Sequence, residues 1–165
     1  MNNLKKFFKK PLQKDKLPKW IIIALITIAL LGFADATYLV AEHYVNAIPP
    51  CSIGSCELVL TSSYSTVLGL PVSLPGSIYY LALLILFIVY LDTKKEISLR
   101  TALLLSPLGF IVSLYFFIIQ AFVLHAFCLY CLGSAITSTL IFLISLYTLI
   151  KYRKESQETM TCPIV

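Results

Sequence analysis

Four of the five cysteines fall into two closely spaced pairs, Cys51 with Cys56 and Cys128 with Cys131, while Cys162 stands alone near the end of the chain. Paired thiols can close a structural disulfide, exchange electrons with another dithiol, or ligate a soft metal. Loop-closure entropy separates the first two. A bridge within 51–56 or within 128–131 contributes only about 2 kcal/mol, against about 4.4 kcal/mol for a link from Cys56 to Cys128. Local pairing therefore makes weak staples, and short strained bridges are the reducible ones. The spacing predicts redox chemistry. The alternative is a non-enzymatic protein whose disulfide-stapled loop binds a partner.

The elements that position these thiols are membrane helices. Hydrophobic residues make up 59% of the chain and charged residues 13%, and the mean hydropathy is +0.89. Such a chain cannot cover itself with polar groups, so lipid is part of its solvent. A span needs roughly 20 apolar residues, and four runs qualify: about 20–42, 74–91, 101–123 and 127–149. Pro107 and Gly109 fall inside the third, where neighbouring helices can satisfy the backbone group that Pro frees. Trp20, Tyr44, Tyr90 and Tyr130 sit near the predicted boundaries, where amphipathic rings prefer to lie. The expected fold is an all-α, four-transmembrane-helix bundle with a short amphipathic helix in the outer loop. It forms a single domain over 1–165, with a basic N-terminal segment 1–19 and a tail 150–165.

Charge sets the orientation. All 13 basic residues lie before the first run, between the second and third, or after the fourth. By the positive-inside rule both termini are cytoplasmic, and the 44–73 loop and the turn around His125 face outward. The net charge of +5 reflects this asymmetry, not nucleic-acid binding. Lysines, an apolar stretch and Ala34-Asp35-Ala36 also have the form of a cleaved signal peptide. Against that, the apolar run continues through Tyr38, Leu39 and Val40 to a full span.

On this topology both cysteine pairs share the outer, oxidising side. Cys128 and Cys131 fall in the first turn of the fourth helix, where unpaired N–H groups and the macrodipole favour the reactive thiolate. Cys131 lies one turn deeper than Cys128. In the outer loop, Leu60, Tyr64, Val67 and Leu68 follow helical spacing, which predicts a helix over Glu57–Leu68. Ser55 is its candidate N-cap, and Gly69 and Pro71 end it. Two placements stay open: an interfacial helix on the membrane surface with no active-site role, or a helix over the bundle mouth whose Cys56 carries a thiol over the C-x-x-C. A thiol relay needs an electron acceptor. The chain has no dinucleotide fingerprint and no haem C-x-x-C-H motif, which leaves an acceptor dissolved in the bilayer, with quinone the obvious class.

Several stretches occur in an order that resembles the bacterial vitamin K epoxide reductase homologues. They are Gly32-Phe33-Ala34-Asp35-Ala36-Thr37-Tyr38-Leu39; Cys51 and Cys56; Ser62-Ser63-Tyr64; Gly69-Leu70-Pro71; Gly76 and Tyr79; and Cys128-Leu129-Tyr130-Cys131. The resemblance covers roughly 20–150. It implies a four-helix bundle around a quinone of ubiquinone or menaquinone type, with the loop helix as a lid. It also implies that Cys51 exchanges with the dithiol of a separate, DsbA-like thioredoxin-fold oxidase. Cys56 then attacks Cys128 and releases Cys131 beside the quinone, with Ser62 supporting the lid and pocket. The implied setting is a bacterial inner or cell membrane and the implied outcome is disulfide-bond formation in secreted proteins. The order of the two cysteine pairs is the reverse of that in the DsbB family. With no fused thioredoxin-like domain expected, the partner is expected to be a separate protein. After Cys131 comes Leu132-Gly133-Ser134-Ala135, without the tyrosine of vertebrate epoxide reductases, so quinone reduction is expected, not epoxide reduction.

Asp35 is an acid inside the first span. Intramembrane carboxylates are costly and usually functional, so it is a candidate for quinone binding or proton relay, against a helix-to-helix hydrogen bond or a snorkelling group. His43 and His125 lie near the outer boundary, but a C-x-x-C on a helix end facing lipid is no zinc site, and no metal is expected. Cys162-Pro163-Ile164-Val165 has the form of a prenylation box. In a chain resembling bacterial proteins it is read as chance, and Cys162 as an inert thiol.

Overall fold

The computed structural model describes residues 18–45, 56–62, 64–67 and 69–158. Residues 1–17 of the basic N-terminal segment, Cys51, Ser55 and Cys162 lie outside them. Four long helices dominate: α1 (Lys19–Val45), α3 (Ser73–Thr93), α4 (Glu96–Ile118) and α5 (Leu129–Glu158). A short helix α2 (Cys56–Leu60) and two paired strands, β1 (Thr66–Val67) and β2 (Leu70–Pro71), lie between α1 and α3. The segments Lys19–Val45, Ser73–Thr93, Glu96–Val123 and Leu129–Lys151 are each long and apolar enough to cross a membrane. The third begins inside the charged connection, at Glu96, whose carboxylate in the first turn suits the positive end of the helix.

The helices close into a ring in which α1 packs on α3 and α5, and α4 packs on the same two. The core is a continuous apolar cluster that includes Leu25 and Ala29 of α1, Leu83 and Phe87 of α3, Leu103 of α4 and Ile141 of α5. Outward-facing residues such as Ile23, Ile85, Ile111 and Leu143 are apolar and exposed. That arrangement suits hydrocarbon as the surrounding solvent. In lipid, packing and interhelical hydrogen bonds hold helices together, since apolar side chains gain little by leaving lipid. The Ser138 hydroxyl donates to Ser113 Oγ at 2.7 Å between α5 and α4, and Phe110 and Phe142 stack at 4.7 Å between the same helices.

Two glycines allow the closest approaches. A Cβ at Gly32 would collide with the ring of Tyr80, and one at Gly109 with the ring and hydroxyl of Tyr79. Adjacent tyrosines of α3 thus lie flat against α1 and α4. Pro107 removes an N–H from α4, and the freed carbonyl of Leu103 accepts a hydrogen bond from Ser106 Oγ at 2.8 Å. The helix therefore continues through the proline.

The loop differs from the sequence expectation in extent. Helix α2 ends at Leu60 and does not run to 68. Hydroxyl-bearing residues follow, and their side chains compete for main-chain carbonyls: Thr61 with Glu57 at 2.7 Å, Ser62 with Val59 at 2.7 Å and Ser65 with Ser62 at 2.8 Å. The helical spacing of Leu60 and Tyr64 is broken by these turns. Gly69, at φ +79°, then supplies the left-handed residue that lets β1 and β2 pair.

Candidate active site at the loop end of the bundle

The C-x-x-C is positioned by an irregular connection. Helix α4 ends in a π-helical turn, Ile119–Val123, in which the Leu124 N–H reaches the Ile119 carbonyl at 3.0 Å. The chain reverses at His125, which is left-handed at φ 47°. Gln120 ties this reversal from both ends. Its main-chain carbonyl accepts from the Ala126 N–H at 3.1 Å, and its buried side-chain Oε1 accepts from the Cys128 N–H at 2.9 Å. Sequence reasoning passed over Gln120. The available signal was an uncharged amide at the outer end of a span, where a side chain of that size is kept only with a partner.

Cys128 immediately precedes α5, and its carbonyl accepts the first helical bond, from Leu132 N–H at 3.0 Å. It therefore occupies the N-cap, where a side-chain acceptor meets unpaired N–H groups. The Cys128 thiol is held below the usual thiol range, at about 7. The largest cause is the hydrogen bond with the Cys131 thiol; burial opposes it, and the N–H groups of Cys131 and Tyr130 add to the lowering. A thiol in that range is substantially thiolate at neutral pH.

The two sulfurs face different surroundings. Cys128 is fully buried, in a small cluster with Cys56, Val59 and Ala126. Cys131 lines a cavity of about 790 Å³ bounded by α2, the hairpin and all four long helices. Cys128 and Cys131 are free thiols, whereas Cys56 is disulfide-bonded. The structure thus brings Cys56 and the C-x-x-C together.

Ser62 also lines the cavity, with its hydroxyl turned onto the Val59 carbonyl as a cap for α2. Asp35 is absent from the cavity wall. Its carboxylate lies against the first turns of α5, within 3.9 Å of where a Cβ on Gly133 would be, and its Oδ2 is buried with no hydrogen-bond partner. His43 stands at the cavity's edge, on the exposed end of α1.

The cavity suits a quinone. Its volume falls within the usual range for small-molecule sites. Leu39, Leu60, Val112 and Phe116 give it apolar walls, and a thiol opens into it. The Tyr79 hydroxyl in the same wall is buried and has no hydrogen-bond partner, the kind of orphaned donor that a carbonyl oxygen satisfies. Tyr80, beside it, is already engaged: its hydroxyl donates to the Ser134 carbonyl at 2.8 Å and lies 2.8 Å from Thr137 Oγ1.

A membrane helix bundle with a dithiol opening into an apolar cavity, and a disulfide packed behind it, defines a membrane thiol oxidoreductase. The family model for the vitamin K epoxide reductase family matches residues 23–146. The chain belongs to that family, whose general chemistry is membrane thiol:quinone oxidoreduction. No curated protein matches it significantly.

Proposed function

We propose that the protein passes an electron pair from a thioredoxin-fold dithiol through Cys51 and Cys56 to Cys128 and Cys131, and on to a membrane quinone of the ubiquinone or menaquinone type. One observation carries this reading: Cys131 opens into the cavity while Cys128 packs behind it on Cys56. The two sulfurs of the C-x-x-C thereby face a donor on one side and an acceptor on the other. The differing states of the thiols support it too, since a free C-x-x-C beside a bonded Cys56 suits a relay better than two staples.

Each residue's task follows from its place. Cys51 exchanges with the partner's dithiol, which is oxidised. The Cys56 thiolate attacks Cys128 and breaks the Cys128–Cys131 disulfide. Cys51 then resolves the Cys56–Cys128 link and leaves both C-x-x-C sulfurs reduced. A bound quinone supplies the two-electron sink and leaves as quinol. Tyr79 and Ser62 line its site, and α2 shields it from water. The basic residues orient the chain with both termini in the cytoplasm of a bacterial cell and the cysteine pairs outside. The oxidised partner, a separate DsbA-like protein, then supports disulfide formation.

The test is quinone reduction by the purified full chain in lipid nanodiscs with a dithiol donor. Turnover that disappears in both Cys128→Ala and Cys131→Ala supports the relay. A wild-type protein that reduces neither ubiquinone nor menaquinone analogues overturns it in favour of a stapled binding protein.

A further inference from the structure

Thiol–disulfide exchange moves an electron pair from sulfur to sulfur but leaves the protons behind. Each attacking thiol of the loop releases its proton to water, and each departing sulfur of the C-x-x-C must regain one. Quinol formation then consumes both. On the reading above, two protons must therefore reach a site inside the bundle in every turnover. Helix α1 carries the residues for this. Asp35, Tyr38 and Glu42 are spaced at i, i+3 and i+7, on one face of the helix. Glu42 lines the cavity near the loop end. The Tyr38 ring lies 5.3 Å from that of Tyr130, the residue just before Cys131, and Tyr38 also interacts with Glu42, one turn on. Asp35 is one turn further in, against Gly133 of α5.

The orphaned Oδ2 separates two readings of Asp35. A carboxylate kept to clamp helices would spend its oxygens on hydrogen bonds between them, yet this buried oxygen has none. It lies instead against Gly133, two residues beyond Cys131 on α5. We infer that Asp35 is the proton relay of the Cys128–Cys131 pair, reloaded from the loop end of the bundle through Glu42 and Tyr38.

The inference rests on the thiol:quinone reading and specifies how its protons move. When exchange leaves a C-x-x-C sulfur as thiolate, the protonated Asp35 gives it a proton and becomes carboxylate. A proton from water, passed by Glu42 and Tyr38, restores the acid. No electrons move through Asp35.

Infrared difference spectra tell this apart from a structural role, since they need no quinone. The Cys128–Cys131 disulfide of quinone-free protein is reduced with dithiothreitol, and the carboxyl-stretch region is recorded. A carboxyl band that changes in the wild type, is lost in Asp35→Asn and is altered in Tyr38→Phe supports the relay. With quinone, Asp35→Asn is expected to slow turnover roughly a hundredfold, the scale of general acid–base catalysis. Asp35→Glu is expected to recover most of the rate, and the pH profile of the Asn variant to lose the dependence seen in the wild type. Trapping of the Cys56–Cys128 link in Asp35→Asn checks that the bundle is intact. A band unchanged by Asp35→Asn, or full turnover in that variant with the wild-type pH profile, overturns the relay. Loss of quinone reduction by the wild type itself overturns the function reading instead.

Discussion

Cys56 and Cys128 are buried in one small apolar cluster, the first at the start of the loop helix and the second at the N-cap of α5. Val59 and Ala126 fill the remaining space between these elements, so the loop helix is docked on the C-x-x-C by side chains that water does not reach. Contact of this kind supports the proposal that Cys56 and Cys128 are the exchanging members of the two pairs.

The first prediction follows from that contact. With Cys131→Ser and Cys51→Ser, neither resolving thiol remains, and mild oxidation is expected to trap a Cys56–Cys128 disulfide in high yield. The pair Cys51–Cys128, tested in Cys56→Ser with Cys131→Ser, is expected to form poorly. Non-reducing mass mapping distinguishes the two, and equal yields would remove the case for a fixed order of exchange.

A second prediction concerns acidity. The Cys128 thiol, one residue ahead of the fourth span, is lowered to about 7, most of all by the Cys131 thiol. Thiolate absorbance of the reduced protein is expected to appear with a midpoint near that value. In Cys131→Ala the midpoint moves up, because the leading stabiliser of the charged form is gone while burial still opposes it. In the wild type the thiolate is present above the midpoint and lost below it, so exchange through Cys128 slows as pH falls through 7. An unmoved midpoint in the alanine variant would assign the lowering to the helix N-terminus alone.

Gln120 supplies a third. Its Oε1 accepts the Cys128 N–H inside the fold, and leaving that buried donor unsatisfied costs about 1–3 kcal/mol. Gln120→Leu is expected to lower thermal stability and to blur the geometry of exchange. Gln120→Glu keeps the acceptor and is expected to retain more of both. Equal loss in the two variants would point to the amide N–H₂ instead.

Run length alone marks out the four long helices, because hydrocarbon admits few other backbones. The reversal at His125 was legible for similar reasons, whereas the carbonyl freed by Pro107 is satisfied by Ser106 of the same helix and not, as expected, by a neighbouring one. The loop helix was over-extended because apolar spacing ignores the hydroxyls of Thr61, Ser62 and Ser65, which draw off the carbonyls needed to continue. The π turn at Gln120 left no trace in the apolar pattern, since every position near it is hydrophobic on both helical registers. The burial of Cys56 against Cys128 depends on how the ring of helices closes, which spacing within a segment does not encode. Asp35 was legible as unusual, but its displacement from the cavity wall to the face of α5 became visible only with the neighbouring helix in place.

The last prediction tests the packing that shapes the cavity. Tyr80 lies on Gly32 so closely that a methyl group there forces the ring to move, and Tyr80 carries hydrogen bonds to Ser134 and Thr137 of α5. Gly32→Ala is expected to destabilise the bundle by about 1–3 kcal/mol through overpacking. Tyr80→Phe loses the bridge to α5 and is expected to cost about 1 kcal/mol. If the clash acts through Tyr80, combining Gly32→Ala with Tyr80→Leu relieves part of the alanine's cost, since the smaller side chain leaves room for the methyl. A double-mutant cycle measured by thermal unfolding in detergent reads this coupling directly. Strict additivity would place the cost of Gly32→Ala elsewhere on α1, and the cavity wall beside Cys131 would then depend on α3 less than its contacts imply.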